Sequence, residues 1–330
     1  METEKITAYP CHVMMNGPLQ NILNRQGFAM LDGGLATEME KHGADLDDDL
    51  WSAKMLIEAP ELVLQVHSDF LNAGADIVAT ATYQASFEGF EKAGYSRYQA
   101  EKLMRLSVDL AVLARETFWS ETTLRHQRLK PLVAASIGPY GATLHDGSEY
   151  HGNYELTRQE LMDFHRPRMK VLADTDADIF AFETIPSRLE AEALLDLLKE
   201  FPGKPAWLSF SCRDGETVSH GESFAACIEL ASQSSQVVAA GVNCTAPEFI
   251  GSLLKSVQHL DIPIVVYPNS GEHWNPEGNT WTGDAFTRVP VLDWYEHGAR
   301  IIGGCCRVSV DAISNMRKDL LCYSRKVSTV

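Results

Sequence analysis

No apolar run in this chain approaches the ~20 residues that a membrane-spanning helix needs, so a spanning segment is excluded. The first 25 residues mix Glu, Lys, His, Asn and Pro and lack the apolar block of a signal peptide. The expectation is a cytoplasmic protein. Basic residues are in the minority: 28 Lys plus Arg stand against 45 Asp plus Glu, a formal charge of -17. Phosphate binding needs clustered cations, so this balance argues against nucleic acid, and equally against an anionic membrane surface. It favours a cationic small molecule, although solubility accounts for it equally well. Familiar chemical signatures are missing too. There is no GxGxxG, P-loop, HExxH or CxxC, which leaves a nucleotide cofactor unsupported and metal spacing undiagnostic. No Gly/Ser-rich or Pro-rich linker divides the chain.

What is present is an alternation. Short runs of Val, Ile, Ala and Phe occur at 28–31, 76–81, 132–137, 178–182, 206–210, 237–242, 262–267 and 300–302. They are nearly continuous in apolar residues, as strands of a helix-covered parallel sheet are. Between them lie amphipathic stretches. Leu103, Leu106, Leu110 and Leu113 are predicted to share one helical face, as are Leu189, Ala193, Leu194 and Leu197. Pro60, Ser187 and Pro247 mark helix starts. Eight such alternations predict a single-domain (β/α)8 TIM barrel over residues 26–330, with residues 1–25 as an extension packed on or near it. A doubly wound open sheet is the other arrangement the pattern allows. Long connections at 37–59, 82–97, 139–153 and 269–283, the last carrying Trp274 and Trp281, are expected to build the substrate site.

The reactive residues gather at strand ends: Asp32-Gly33-Gly34, Thr82-Tyr83, Glu183-Thr184, Asn243-Cys244, Asn269-Ser270 and Gly303-Gly304-Cys305-Cys306. A barrel brings all these ends to one mouth. Seven cysteines, an odd number in a long chain without a secretory signal, make structural disulfides a poor expectation and metal binding or catalysis a better one. Cys244, Cys305 and Cys306 would meet at the mouth, where three thiolates and an open fourth position describe a catalytic zinc site. The same run also fits a tight, small-residue strand end with inert thiols, and residue chemistry alone does not choose. Cys11, Cys212, Cys227 and Cys322 read as structural or surface residues. Asp32 and Glu183 suit either a substrate ammonium or a nearby Arg, and an Asp before Gly-Gly also makes turns. His67, His165 and His259 fall in helical stretches and read as packing or surface residues; His220 and His273 fall in loops.

The elements Leu31-Asp32-Gly33-Gly34-Leu35-Ala36-Thr37-Glu38, Phe182-Glu183-Thr184-Ile185-Pro186, Gly241-Val242-Asn243-Cys244-Thr245 and Gly303-Gly304-Cys305-Cys306-Arg307, in that order, resemble the homocysteine S-methyltransferase family over about residues 28 to 320. The resemblance implies a (β/α)8 barrel, zinc on Cys244, Cys305 and Cys306, and homocysteine as methyl acceptor. It implies that Asp32 and Glu183 hold the homocysteine ammonium, and that backbone N–H groups near Gly33 and Thr82 meet its carboxylate. Segments 45–54, 146–150 and 267–272 are similar to the branch that uses S-methylmethionine, with S-adenosylmethionine a poorer donor. Betaine-using members carry a dimerisation extension; 24 residues follow Cys306 here, so a monomer is expected. The cobalamin-dependent members have a further domain that is not present. A cationic donor wants aromatic faces, and Trp51, Tyr83 and Tyr150 are the candidates; Asn243 and Asn269 complete the mouth. The alternatives are a non-catalytic zinc or thiol redox-sensing barrel, a selenocysteine acceptor, and betaine as donor.

Overall fold

A parallel strand covered by helices on its outside is apolar toward both the barrel interior and the helical ring, so it reads as an unbroken apolar run. In the computed structural model, which describes residues 17–45, 51–275, 280–282 and 289–327, eight such runs form the strands of one sheet. They are β1 (Ala29–Met30), β2 (Ile77–Ala79), β3 (Leu132–Ile137), β4 (Ile179–Ile185), β5 (Ala206–Phe210), β6 (Val237–Asn243), β7 (Ile264–Tyr267) and β8 (Ala299–Ile302). All neighbours pair in parallel, and β8 lies between β7 and β1. A parallel bridge between Leu31 and Ile77 joins β1 to β2 and closes the ring. This is the (β/α)8 barrel, and the open-sheet alternative falls.

Two apolar layers hold it. The interior is filled by side chains such as Leu31, Ile77, Ile179, Trp207, Val265 and Ile301, joined by Leu19, Ile22 and Leu23 of the helix Pro18–Gln26. That helix therefore seals the N-terminal end of the barrel. The outer layer lies between strands and helices. Ser187 caps the helix Arg188–Leu198 through the Glu190 amide, and Pro60 and Pro247 open theirs, as the sequence signals indicate.

Several expectations need correction. On the helix Arg97–Glu121 the buried face is built by Ala100, Met104, Val108, Leu110, Ala111 and Ala114; Leu103 and Leu106 pack part-buried on the core, and of the four leucines Leu113 alone is exposed. Leu189 is likewise exposed, while Ala193, Leu194 and Leu197 are buried. Strand β4 runs to Ile185, so Glu183 lies within it; the register against β5 shifts between Phe182 and Ile185, where Thr184 has φ 59°. Among the described residues, the connections at 37–59 and 82–97 carry short helices, Leu35–Lys41, Met55–Glu58 and Phe87–Lys92. Within 269–283, His273–Asn275 and Thr280–Thr282 form an antiparallel ribbon pairing Trp274 with Trp281. Cys11 lies outside the described residues, as do the side chains of Trp51, Trp274, Trp281 and His273. Among the described residues, no helix is long and apolar enough to cross a membrane.

Candidate metal centre and substrate site

At the C-terminal ends of the strands, backbone contacts bring β1, β6, β7 and β8 together. Gly304 N–H donates to Asp32 O (3.0 Å), Cys305 N–H to Pro268 O (2.8 Å), Cys244 N–H to Tyr267 O (3.2 Å) and Ser270 N–H to Cys306 O (3.1 Å). A side chain at Gly34 would place its Cβ 2.9 Å from Cys305 O, and one at Gly303 would sit 2.5 Å from Leu31 Cβ. The glycine pairs thus permit the close approach of β1 to β8 that sets the cysteines in place. Strain concentrates at this end. The four non-glycine residues with positive φ among those described are Thr184, at the register shift near the end of β4, and His145, Cys244 and Arg307, in the turns and loops that follow strands. Such conformations cost free energy and persist where surrounding structure enforces them, commonly at functional sites.

The sulfurs of Cys244, Cys305 and Cys306 all lie within 4.8 Å of one another. Cys244 and Cys305 are joined as a disulfide, and Cys306 Sγ lies 3.7 Å from Cys244 Sγ. The disulfide corrects the expectation that this chain holds none. Its physical reason is the same convergence: thiols aimed at one point are also within reach of each other. Only the reduced trio offers three thiolates to a metal. Burial pushes the Cys306 thiol up to about 11, and the charge of Glu149 adds to the rise. A bound cation would reverse that shift by stabilising the thiolate. Cys212 and Cys227 are buried and Cys322 exposed, all away from this cluster.

Beside the cysteines stand two buried carboxylates. Asp32 Oδ2 accepts from Ala79 N–H (2.7 Å). Glu183 accepts from Ser136 Oγ and, at 3.0 Å, from Tyr267 OH. Burial raises the pKa of both, and for Asp32 the charge of Glu183 raises it further. Two like charges in a dry site, with no cationic side chain bonded to either among the described residues, are complementary to a ligand cation. The Gly33 and Thr82 amides donate to no hydrogen bond among the described residues, while Thr82 Oγ1 donates to Ser136 O (2.7 Å). Asn243 is fully buried and spent as a brace: its Oδ1 accepts from Thr184 N–H (2.7 Å) and Ser209 Oγ (2.8 Å), and its Nδ2 donates to Thr184 Oγ1 (2.7 Å). Asn269 forms a local turn, its Oδ1 accepting from Gly271 N–H (3.0 Å).

The loop after β3 supplies the opposite wall. Tyr83 packs against Gly138, where a Cβ would lie 2.6 Å from the ring. Tyr150 keeps 41% of its surface exposed while its hydroxyl end is buried against Cys306, and its phenol pKa is raised accordingly. Tyr83 is raised by burial and by the charge of Glu149. Trp51 opens a short 3-10 turn, Trp51–Lys54. His67 and His165 are buried packing residues, His259 is exposed, and His220 pairs with Glu222 at 3.1 Å, away from the thiols. A groove at the other end of the barrel, lined by Asn24, Tyr295 and Arg300 among others, contains none of these acid or thiol groups.

Sequence reasoning placed Ser136-Ile137-Gly138-Pro139 at the mouth without giving Ser136 a role, and gave none to Tyr267 or Glu149. Tyr267 is the last residue of an apolar strand run and looks like core, yet its hydroxyl contacts Glu183, Ser209 Oγ (2.6 Å) and Trp207 Nε1 (3.1 Å). Its position at a strand terminus was the available signal.

A parallel barrel with three converging cysteines and two buried carboxylates at its C-terminal mouth defines an enzyme scaffold with a cysteine cluster that could hold a metal ion. Comparison with known proteins gives the family. The family model for homocysteine S-methyltransferase matches residues 29–320. The chain is 48% identical over 316 residues to homocysteine S-methyltransferase YbgG of Bacillus subtilis, covering 94% of this chain and 99% of that protein. It is 47% identical to the selenocysteine Se-methyltransferase of Brassica oleracea, covering 89% of each. Among solved structures, the homocysteine methyltransferase MmuM of Escherichia coli superposes with TM-score 0.83 in its oxidised form and 0.82 in its metallated form. Sequence identities are 42% and 41%, covering 92% of this chain and all of that one. The chain belongs to the homocysteine S-methyltransferase family and is a methyltransferase enzyme, which sets aside the non-catalytic redox barrel.

Proposed function

We propose that this enzyme transfers a methyl group from a sulfonium donor, S-methylmethionine in the first place, to the thiol of L-homocysteine, giving methionine. The observation that carries the reading is the convergence of Cys244, Cys305 and Cys306 beside the buried pair Asp32 and Glu183. Three thiolates with room for a fourth ligand suit zinc: tetrahedral coordination with Zn–S of about 2.3 Å sets sulfur pairs about 3.8 Å apart. The 3.7 Å between Cys244 and Cys306 agrees with that spacing. Zinc, when held there, supplies a Lewis acid that makes a ligating thiol a thiolate at neutral pH.

The chain's own residues do the rest. Asp32 and Glu183 hold the acceptor's ammonium, and the Gly33 and Thr82 amides meet its carboxylate, so its thiol points at the cysteine trio. Ser136 and Tyr267 fix Glu183. Tyr83 and Tyr150 face the cationic donor, with Trp51 as the third aromatic candidate, and the departing thioether is neutral and needs no general acid. What remains for catalysis is in-line placement of methyl carbon and sulfur. The enzyme acts as a cytoplasmic monomer on small molecules. Selenocysteine is a second acceptor that the same ammonium and carboxylate contacts admit, and the Brassica oleracea relative favours testing it.

The test is methionine formation from homocysteine by the reduced, zinc-loaded protein, with S-methylmethionine, S-adenosylmethionine and betaine offered in parallel and selenocysteine as rival acceptor. Product from S-methylmethionine that disappears on chelation and returns with zinc is expected. Product from betaine alone, or activity untouched by complete metal removal, overturns the reading.

A further inference from the structure

Glu149 sits on the turn Ser148–Tyr150 between β3 and the helix Arg158–Ala173. The turn is firmly held. Tyr150 N–H donates to Gly147 O (2.9 Å), and Ser211 Oγ at the end of β5 donates to Glu149 O (3.1 Å). Gly141 approaches so closely that a Cβ there would lie 2.6 Å from Glu149 N. The carboxylate that this turn presents has an oxygen, Oε2, buried from solvent and without a hydrogen-bond partner. The charged side chain acting on it is Asp146, of its own sign. The next residue on the turn, Tyr150, meets Cys306 with its hydroxyl, so the turn carries Glu149 to the same mouth as the thiol cluster. An unpartnered buried carboxylate is costly, and such a group in a ligand site is complementary to a cation that arrives with the ligand.

We propose that Glu149 is the counter-charge for the sulfonium of the methyl donor, flanked by Tyr83 and Tyr150 and separate from the Asp32–Glu183 pair that takes the acceptor's ammonium. This rests on the reading that the donor is a sulfonium. In the transfer, the acceptor thiol first gives its proton to solvent. A lone pair of its sulfur then forms the new S–CH3 bond. The donor's S–CH3 bond breaks, and its electron pair stays on the donor sulfur as a neutral thioether. The positive charge is consumed as the reaction proceeds. A carboxylate beside it therefore favours bound donor over transition state and product. Glu149 is expected to act on donor capture, and to loosen its hold once the thioether forms.

The experiment is steady-state kinetics of the zinc-loaded full chain and of Glu149→Gln, varying S-methylmethionine and homocysteine in turn. The expected result is a donor KM raised about 10-fold or more, with kcat undiminished and homocysteine KM and zinc content within about twofold of wild type. Glu149→Asp, which keeps the charge, is expected to fall between the two. An unchanged donor KM in Glu149→Gln, with wild type turning over S-methylmethionine, overturns this proposal and leaves the donor reading standing. An equal rise in both KM values also overturns it, because that marks a general distortion of the mouth. A wild type inactive with every sulfonium donor sinks the donor reading itself, and this proposal with it.

Discussion

Among the described residues no protein cation is bonded to Asp32 or Glu183, and Ser136 and Tyr267 hold Glu183 in place. Removing one acid should therefore act on acceptor binding. Glu183→Ala is expected to raise the homocysteine KM at least about 10-fold with a smaller change in kcat, read from initial rates; an unchanged KM rejects the assignment. His67 is a different case. It is fully buried, and neither ring nitrogen has a hydrogen-bond partner. Burial lowers its pKa to about 4. The folded chain thus keeps it neutral while the unfolded chain protonates it near pH 6.5. Its contribution is fully present above pH 6.5 and is lost as pH falls through about 4, at most about 3 kcal/mol. His67→Leu, which has no hydrogen bond to lose, should leave stability at pH 7.5 equal or higher and flatten the decline between pH 6.5 and 4, measured by urea unfolding. A decline as steep as wild type's counts against it. His165, also at about 4, remains as a second acid-sensitive site.

At the scale of elements, the loop carrying Glu149 and Tyr150 depends on one acid of a neighbouring helix. Glu190, wholly buried on the helix Arg188–Leu198, accepts from Tyr140 N–H (2.6 Å), from Tyr154 OH and from His165 Nε2 (2.8 Å). Arg168 donates to His165 Nδ1 (2.7 Å) and to Gly138 O, so the network ties both ends of the loop to two helices. Glu190→Ala strands three donors in a dry interior and is expected to cost about 3–5 kcal/mol by chemical denaturation. Any folded fraction should show a raised donor KM and a normal homocysteine KM; stability within about 1 kcal/mol of wild type contradicts the network's importance. None of this was legible in the sequence, where Glu190 is one acid in an amphipathic run. The convergence of the cysteines and Asp32 was legible because each follows a strand run: Cys244 directly after β6, Asp32 before Gly33-Gly34, and Cys305 and Cys306 after Gly303-Gly304. Tyr267 was not, since its contact with Glu183 spans 84 residues and exists only after β4, β5, β6 and β7 pair. The apolar stripes were legible except at one edge each: Leu110, Leu194 and Leu197 are buried, while Leu113 and Leu189 fall outside the contact because small residues such as Ala100, Ala111 and Ala114 share the packed face.

Over the whole molecule, chemistry and closure occupy opposite ends of the barrel, as active sites at the C-terminal face of this fold require. The N-terminal end is locked by Asp76. Its Oδ2 accepts from Met30 N–H (3.0 Å), Gln26 Nε2 (2.6 Å) and Arg317 Nη1 (2.7 Å), and its Oδ1 from Arg128 Nη2 (3.2 Å). Arg317 also donates to Gly74 O (2.7 Å), and lies so close to Gly74 that a Cβ there would sit 2.2 Å from its Cδ. One buried carboxylate thus joins the sealing helix, the first two strands and the last helix, which are far apart in the chain and meet where the ring closes. Arg317→Ala removes one of two cations from this acid and uncovers the Gly74 carbonyl. It is expected to cost about 3 kcal/mol in urea unfolding, while kcat and both KM values at 25 °C stay within about twofold of wild type, because no bond of the network reaches the mouth. A variant that unfolds like wild type denies Asp76 its place in closure. One that keeps its stability but loses turnover shows that the two ends communicate, through strands whose lower hydrogen bonds register at the cysteines.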